Sequence, residues 1–126
     1  MMPDRAHQFL LSWIQALNHQ GVGVEPLCAP DVRVSRYGWD AERDVVVQHL
    51  AGTGAVREWL ALLRPVCQFS LDGEIVQEAG GQLRVRYRIV ATDDFVGGGT
   101  WRLQLDDAGR LSTLEHRPDD LAVRYR

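Results

Sequence analysis

Lysine is missing from this chain of 126 residues, and all 14 basic side chains are arginine. Its absence excludes Schiff-base chemistry, pyridoxal phosphate anchoring and a phosphate-loop lysine. Cysteine is scarce: Cys28 and Cys67 are too few and too isolated for a disulfide framework or a thiolate metal site. His7, His19, His49 and His116 are scattered, and no carboxylate–histidine spacing marks a metal centre. No cofactor is expected. No apolar run approaches the roughly 20 residues a bilayer span requires. The start of the chain places Asp4 beside Arg5 in an amphipathic pattern, which is not a signal peptide. A reducing cytoplasm is the expected location. A net charge of −3 gives no electrostatic reason to expect nucleic acid or an anionic membrane.

What is present is ordinary for a globular protein, with 45% apolar and 25% charged residues. The length suits one domain covering residues 1–126. The second half reads as a meander of strands: Gln68–Leu71, Glu74–Gln77, Gln82–Val90, Thr100–Leu105 and Leu111–Glu115. Apolar and polar residues alternate along them, as in strands with one buried face. The breaks hold Gly and Asp, which tolerate the positive φ of tight turns.

Ahead of the meander lie two helical patterns. Phe9, Leu10, Trp13, Ile14 and Leu17 form one stripe of a helix from Asp4 to about Asn18, with Asp4 as a cap or first-turn acid. Val56, Trp59, Leu60 and Leu63 form the stripe of a second, capped by Thr53 and stopped by Pro65. Between them, Pro26 starts a short helix and Asp31–Tyr37 reads as a strand. Val45–Leu50 is irregular or a short strand. Gly97–Gly99 precede a strand rather than a helix, so they are no phosphate cradle; they suggest a bulge, a flexible lip or a close backbone approach. Helices first and a one-sided antiparallel sheet after them make an α+β domain whose curved sheet wraps its helices.

That element order resembles the nuclear transport factor 2-like superfamily, and its SnoaL-like and ketosteroid-isomerase-like branches above all. Leu27–Val34 is similar to the family's entry into its first strand, Gly52–Trp59 to the start of its third helix, and Asp106–Leu111 to its last hairpin. The resemblance implies a cone whose mouth admits a small, mostly apolar molecule. Members include isomerases, cyclases, epoxide hydrolases and dehydratases as well as plain binding modules. In ketosteroid isomerases a carboxylate just after the first strand removes the substrate proton. That place falls at or near Arg36 here, and an arginine is no general base. Only Asp40, after a loop shift, offers a substitute. The paired carboxylates of limonene-epoxide hydrolases have no counterpart.

Strand parity sorts the candidate site residues. Leu83, Val85, Tyr87 and Ile89 share a face, as do Trp101, Leu103 and Leu105, and Cys67, Phe69 and Leu71. Arg36 continues the inward parity of Val32 and Val34, and His116 that of Leu114. The expected roles are His116 as base or acid, Tyr87 as donor to a developing oxyanion and Arg36 as an anion clamp, with Trp39, Cys67 and Trp101 lining the ligand. The ligand would be a small apolar, oxygen-bearing molecule, with isomerase, cyclase or dehydratase chemistry as one outcome. The alternative is a non-catalytic homodimer whose cone is filled by its own Trp13, Trp59, Trp101 and Leu103. On the opposite face Arg84, Arg86, Arg88 and Arg102 alternate outward. They form either a solvated surface of cross-strand pairs or a homodimer interface.

Overall fold

The computed structural model describes residues 5–37, 46–61, 67–91, 95–119 and 124–125. Helix α1 (Arg5–Asn18) is followed by a 3-10 turn at Glu25–Leu27, strands β1 (Cys28–Tyr37) and β2 (Val46–Ala51), and helix α2 (Ala55–Ala61). Strands β3 (Cys67–Leu71), β4 (Val76–Gln77), β5 (Gln82–Ala91), β6 (Phe95–Leu105), β7 (Leu111–Pro118) and β8 (Arg124–Tyr125) complete the chain. The helices lie against one face of a curved, unclosed sheet, the α+β arrangement expected. No helix among the described residues is long and apolar enough to cross a membrane.

The lateral order is β2-β1-β7-β6-β5-β3, with β4 pairing β5 and β8 pairing β6. Every described pair is antiparallel except β1 with β7, which runs parallel, so the sheet is mixed rather than wholly antiparallel. Parallel neighbours need a long crossover, and residues 38–110 lie between these two. Three element boundaries also differ from the sequence pattern. Val46–Ala51 is a strand because it pairs with β1 along most of its length, with one register shift between Arg36 and Tyr37. The first strand begins at Cys28, three residues before Asp31. Strand β6 begins at Phe95 and runs straight through Gly97–Gly99, whose weak strand preference is overridden by pairing of all three with β5 and of Gly99 with β7 as well. The Asp4 cap lies outside the described residues.

Burial follows the stripes. Helix α1 buries Phe9, Leu10, Trp13 and Leu17, and α2 buries Val56 and Trp59. They meet Val32, Val34, Leu83, Val85, Trp101, Leu103, Leu111 and Leu114 from the sheet. The α1 helix is also tied to an edge strand by its last residue. The Asn18 amide accepts from the Phe69 backbone N–H at 2.6 Å and donates to the Phe69 carbonyl at 2.9 Å. One side chain thereby satisfies both backbone groups that β3 turns away from β5.

Candidate functional site

The sheet register sets one row of residues side by side: Gln48, Arg36, His116, Trp101 and Val85, on β2, β1, β7, β6 and β5. Tyr87 stands two residues beyond Val85 on the same face. Arg36, Tyr87 and His116 therefore come together on the concave side, at the end of the sheet where β1 and β7 finish. Three separate strands supply them, and the parity expected for each holds.

Beneath them lies an aromatic floor. Trp13, Trp59 and Trp101 have no solvent exposure. Trp101 stacks on Tyr87 with centroids 4.4 Å apart, and stands edge-on to Trp13 at 6.0 Å and to Trp59 at 6.5 Å. Such offset and edge-to-face contacts suit the ring quadrupoles. Because Trp101 is wholly enclosed, it forms the wall behind Tyr87 and presents no surface of its own to a ligand.

His116 is buried, at 3% exposure, as is Tyr87 beside it. The indole Nε1–H of Trp59 donates to its Nδ1 at 3.1 Å, and its Nε2 meets the Tyr87 hydroxyl in a short hydrogen bond. Burial, reinforced by the Arg36 charge, pushes the His116 pKa down to about 3, so the ring is neutral at ordinary pH. An indole N–H can only donate. Nδ1 must therefore offer a lone pair, which places the single ring proton on Nε2. That proton points at the Tyr87 oxygen, and the tyrosine's own proton is turned elsewhere. Burial first, and then the Asp119 charge, raise the Tyr87 pKa, so the phenol stays protonated.

Arg36 is half-buried, and its Nε donates to Gln48 Oε1 at 3.3 Å. It makes no ion pair with any described acid. Trp39 and Asp40 lie outside the described residues. Cys67, on β3, pairs with Ala91 of β5. The other cysteine, Cys28, is buried and donates to the Val24 carbonyl, and burial pushes its pKa up to about 11, so it is an inert thiol. Among the described residues no group of three His, Cys, Asp or Glu is placed to hold a metal ion.

Two parts of this site were not legible in the sequence. Trp59 read as a core residue of a helical stripe, yet its indole fixes the histidine. Gln48 lay in a segment of undecided structure, and only the register places it opposite Arg36. Gly99 is a third contributor: a side chain there would stand 2.6 Å from the Tyr87 hydroxyl and 2.5 Å from the Arg117 carbonyl. Of the readings open for Gly97–Gly99, close backbone approach is the one this position fits.

The outer face presents a ladder of arginines and acids. Arg102 holds Glu78 at 2.8 Å and Glu115 at 3.6 Å, and Arg84 also reaches Glu78 at 3.6 Å. Arg86 grips both oxygens of Asp119 at 2.7 and 2.6 Å, a fork that raises the arginine pKa further. Arg117 lies over the Tyr37 ring at 4.0 Å. Arg88 is exposed and has no described partner.

No protein-family model matches the chain, and no curated protein matches it. Solved structures do. A candidate isomerase of the SnoaL-like family from Agrobacterium tumefaciens superimposes with a TM-score of 0.70 at 19% identity, covering 92% of this chain and 98% of that one. An NTF2-like protein of unknown function from Mesorhizobium loti gives 0.68 at 18% identity, covering 94% and 98%. A Mycobacterium tuberculosis protein in complex with estradiol-17β-hemisuccinate gives 0.67 at 14% identity, covering 90% and 93%. At such identities what is shared is the frame: the chain has the nuclear transport factor 2-like fold, in the form seen in SnoaL-like and ketosteroid-isomerase-like proteins.

Proposed function

We propose that the chain binds a small, largely apolar, oxygen-bearing molecule where Arg36, Tyr87 and His116 converge. One observation supports this above the rest. The Trp59–His116–Tyr87 relay leaves the Tyr87 hydroxyl proton without an acceptor among the described residues. A buried donor of this kind is unfavourable unless water or a ligand oxygen takes it. Trp101 stacks behind the Tyr87 ring and holds its hydroxyl in place. A protein of the same fold holding estradiol-17β-hemisuccinate agrees with this use of the frame.

In this reading His116 positions rather than reacts. Its Nδ1 accepts from Trp59 and its Nε2–H donates to Tyr87, so neither nitrogen is free to move a substrate proton. Any chemistry would consist of Tyr87 polarising the ligand oxygen as charge develops on it. Titration with acetophenone, followed by NMR at the Trp59 indole N–H, tests the reading. Binding that shifts this resonance, and that weakens about tenfold in Tyr87→Phe (the loss of one hydrogen bond), is expected. An unperturbed spectrum would refute it.

The rival reading, a non-catalytic homodimer with a self-filled cone, is favoured by a different observation: Trp13, Trp59, Trp101 and Leu103 are fully buried and occupy the floor. Its dimer element is compatible with a ligand site. A second copy suits the outer face because arginines and acids alternate there, so that one ladder can pair with another.

A further inference from the structure

The concave face holds a surplus of hydrogen-bond donors. Trp13 Nε1 and Trp101 Nε1 are buried with no partner. The Tyr87 proton is a third unspent donor, because the reverse arrangement is ruled out. If Tyr87 donated to Nε2, the His116 proton would sit on Nδ1 and face the Trp59 indole N–H at 3.1 Å, two donors with no acceptor between them. Arg36 adds to the surplus. Its Nε is used by Gln48, while its terminal nitrogens have no described acceptor. A half-buried guanidinium without an acid is unfavourable. The described carboxylates lie elsewhere: Glu78, Glu115 and Asp119 are taken up by the arginines of the outer face, Glu25 pairs with Arg57 and Asp106 with Arg110, and Asp31, Glu58, Asp72, Glu74 and Asp107 are exposed. The concave side thus offers donors and one positive charge, and the described negative charge that reaches Tyr87, that of Asp119, is already gripped by Arg86.

We infer that the site recognises a carboxylate on a small apolar body, with one oxygen accepting the Tyr87 proton and the other facing the terminal nitrogens of Arg36. This rests on the proposed ligand site and specifies its ligand. A carboxylate is acceptor-only and accepts on two oxygens, which matches two converging donors from different strands. Hydrogen bonds between ionised groups are roughly twice as strong as neutral ones. An alcohol would bring a donor of its own, and an ammonium would be repelled by Arg36.

Three probes of nearly equal size separate the outcomes: benzoate, acetophenone and benzylamine, titrated into the intact chain near neutral pH by calorimetry. Benzoate is expected to bind at least tenfold more tightly than acetophenone, and benzylamine not at all. Arg36→Gln should abolish that preference by weakening benzoate at least tenfold more than it weakens acetophenone, whereas Arg36→Lys should retain part of it. If acetophenone binds as well as benzoate, or benzylamine binds comparably, the carboxylate assignment fails while the small-molecule site stands. If none of the three binds, both fall. The proton chain has its own check, independent of any variant's folding. Imidazole 15N shifts of the unmodified protein should show the proton of His116 on Nε2, and finding it on Nδ1 would overturn the inference.

Discussion

His116 sits between two half-buried residues of opposite charge, Glu115 and Arg117, yet its own behaviour is set by residues far away along the chain. Trp59 fixes its tautomer and Tyr87 receives its proton. Because the folded state holds the ring neutral down to about pH 3, the unfolded chain binds a proton that the folded one refuses. The sign follows from linkage: stability is full above the unfolded pKa near 6.5 and falls as pH drops toward the folded value. The limiting slope is about 1.4 kcal/mol per pH unit. Urea unfolding between pH 6.5 and 4 should therefore show a steeper loss in the natural chain than in His116→Gln, and parallel curves would show that His116 titrates normally. Trp59→Phe keeps the ring and removes the donor. It should cost about 1–3 kcal/mol and free His116 to adopt the other tautomer, visible as a changed pair of imidazole 15N shifts. The parity of Arg36, Tyr87 and His116 could be read from the chain, since it needs only the two-residue period of a strand. Their partners could not, because Trp59 and Gln48 reach the site through a helix approach and a strand register that no local pattern encodes.

At the scale of elements, two small features hold the site in place. In β6, Gly99 lies against β7 and under the Tyr87 hydroxyl, where an added methyl would meet two backbone positions of β7 as well. Gly99→Ala should lower stability by on the order of 1–3 kcal/mol and shift the Trp59 indole resonance as Tyr87 is displaced. Gly54, in the turn before α2, has open space around it, and alanine there should change stability by less than about 0.5 kcal/mol. Equal effects at both positions would remove the packing argument. The Asn18 amide is the second feature. Replacing it with alanine strands the N–H and carbonyl of Phe69 on an edge strand, and thermal unfolding should report a loss of about 1–3 kcal/mol. Here the sequence spoke only partly. The glycine run suggested a close approach among other readings, but what approaches it is a side chain 12 residues earlier. Asn18 looked like nothing more than the last residue of a helix.

For the whole molecule, the outer face carries the prediction. Light scattering should give a species of twice the 14.2 kDa chain mass, and reversing charge at Arg84 and Arg88 together should drive it to monomer. A concentration-independent monomer would sink the dimer. Exposed pairs on such a face contribute little to folding, so any fall in unfolding temperature should come from the lost dimer and depend on protein concentration. The sequence by itself determined the class of architecture, because hydrophobic period is a local property: a 3.6-residue stripe can only bury as a helix and a two-residue alternation only as a one-sided strand. It likewise determined which side chains point inward, and that a chain without lysine needs some chemistry other than an amine's. The tertiary structure alone decided that β1 meets β7 in parallel, that Val46–Ala51 is a strand, and that Trp59, His116 and Tyr87 join in one directed chain of hydrogen bonds. Those depend on pairings between separate elements, from Tyr37 with Val46 to Cys28 with Leu111, where pairing geometry and the shortage of acceptors inside the cone, rather than any local preference, select the arrangement.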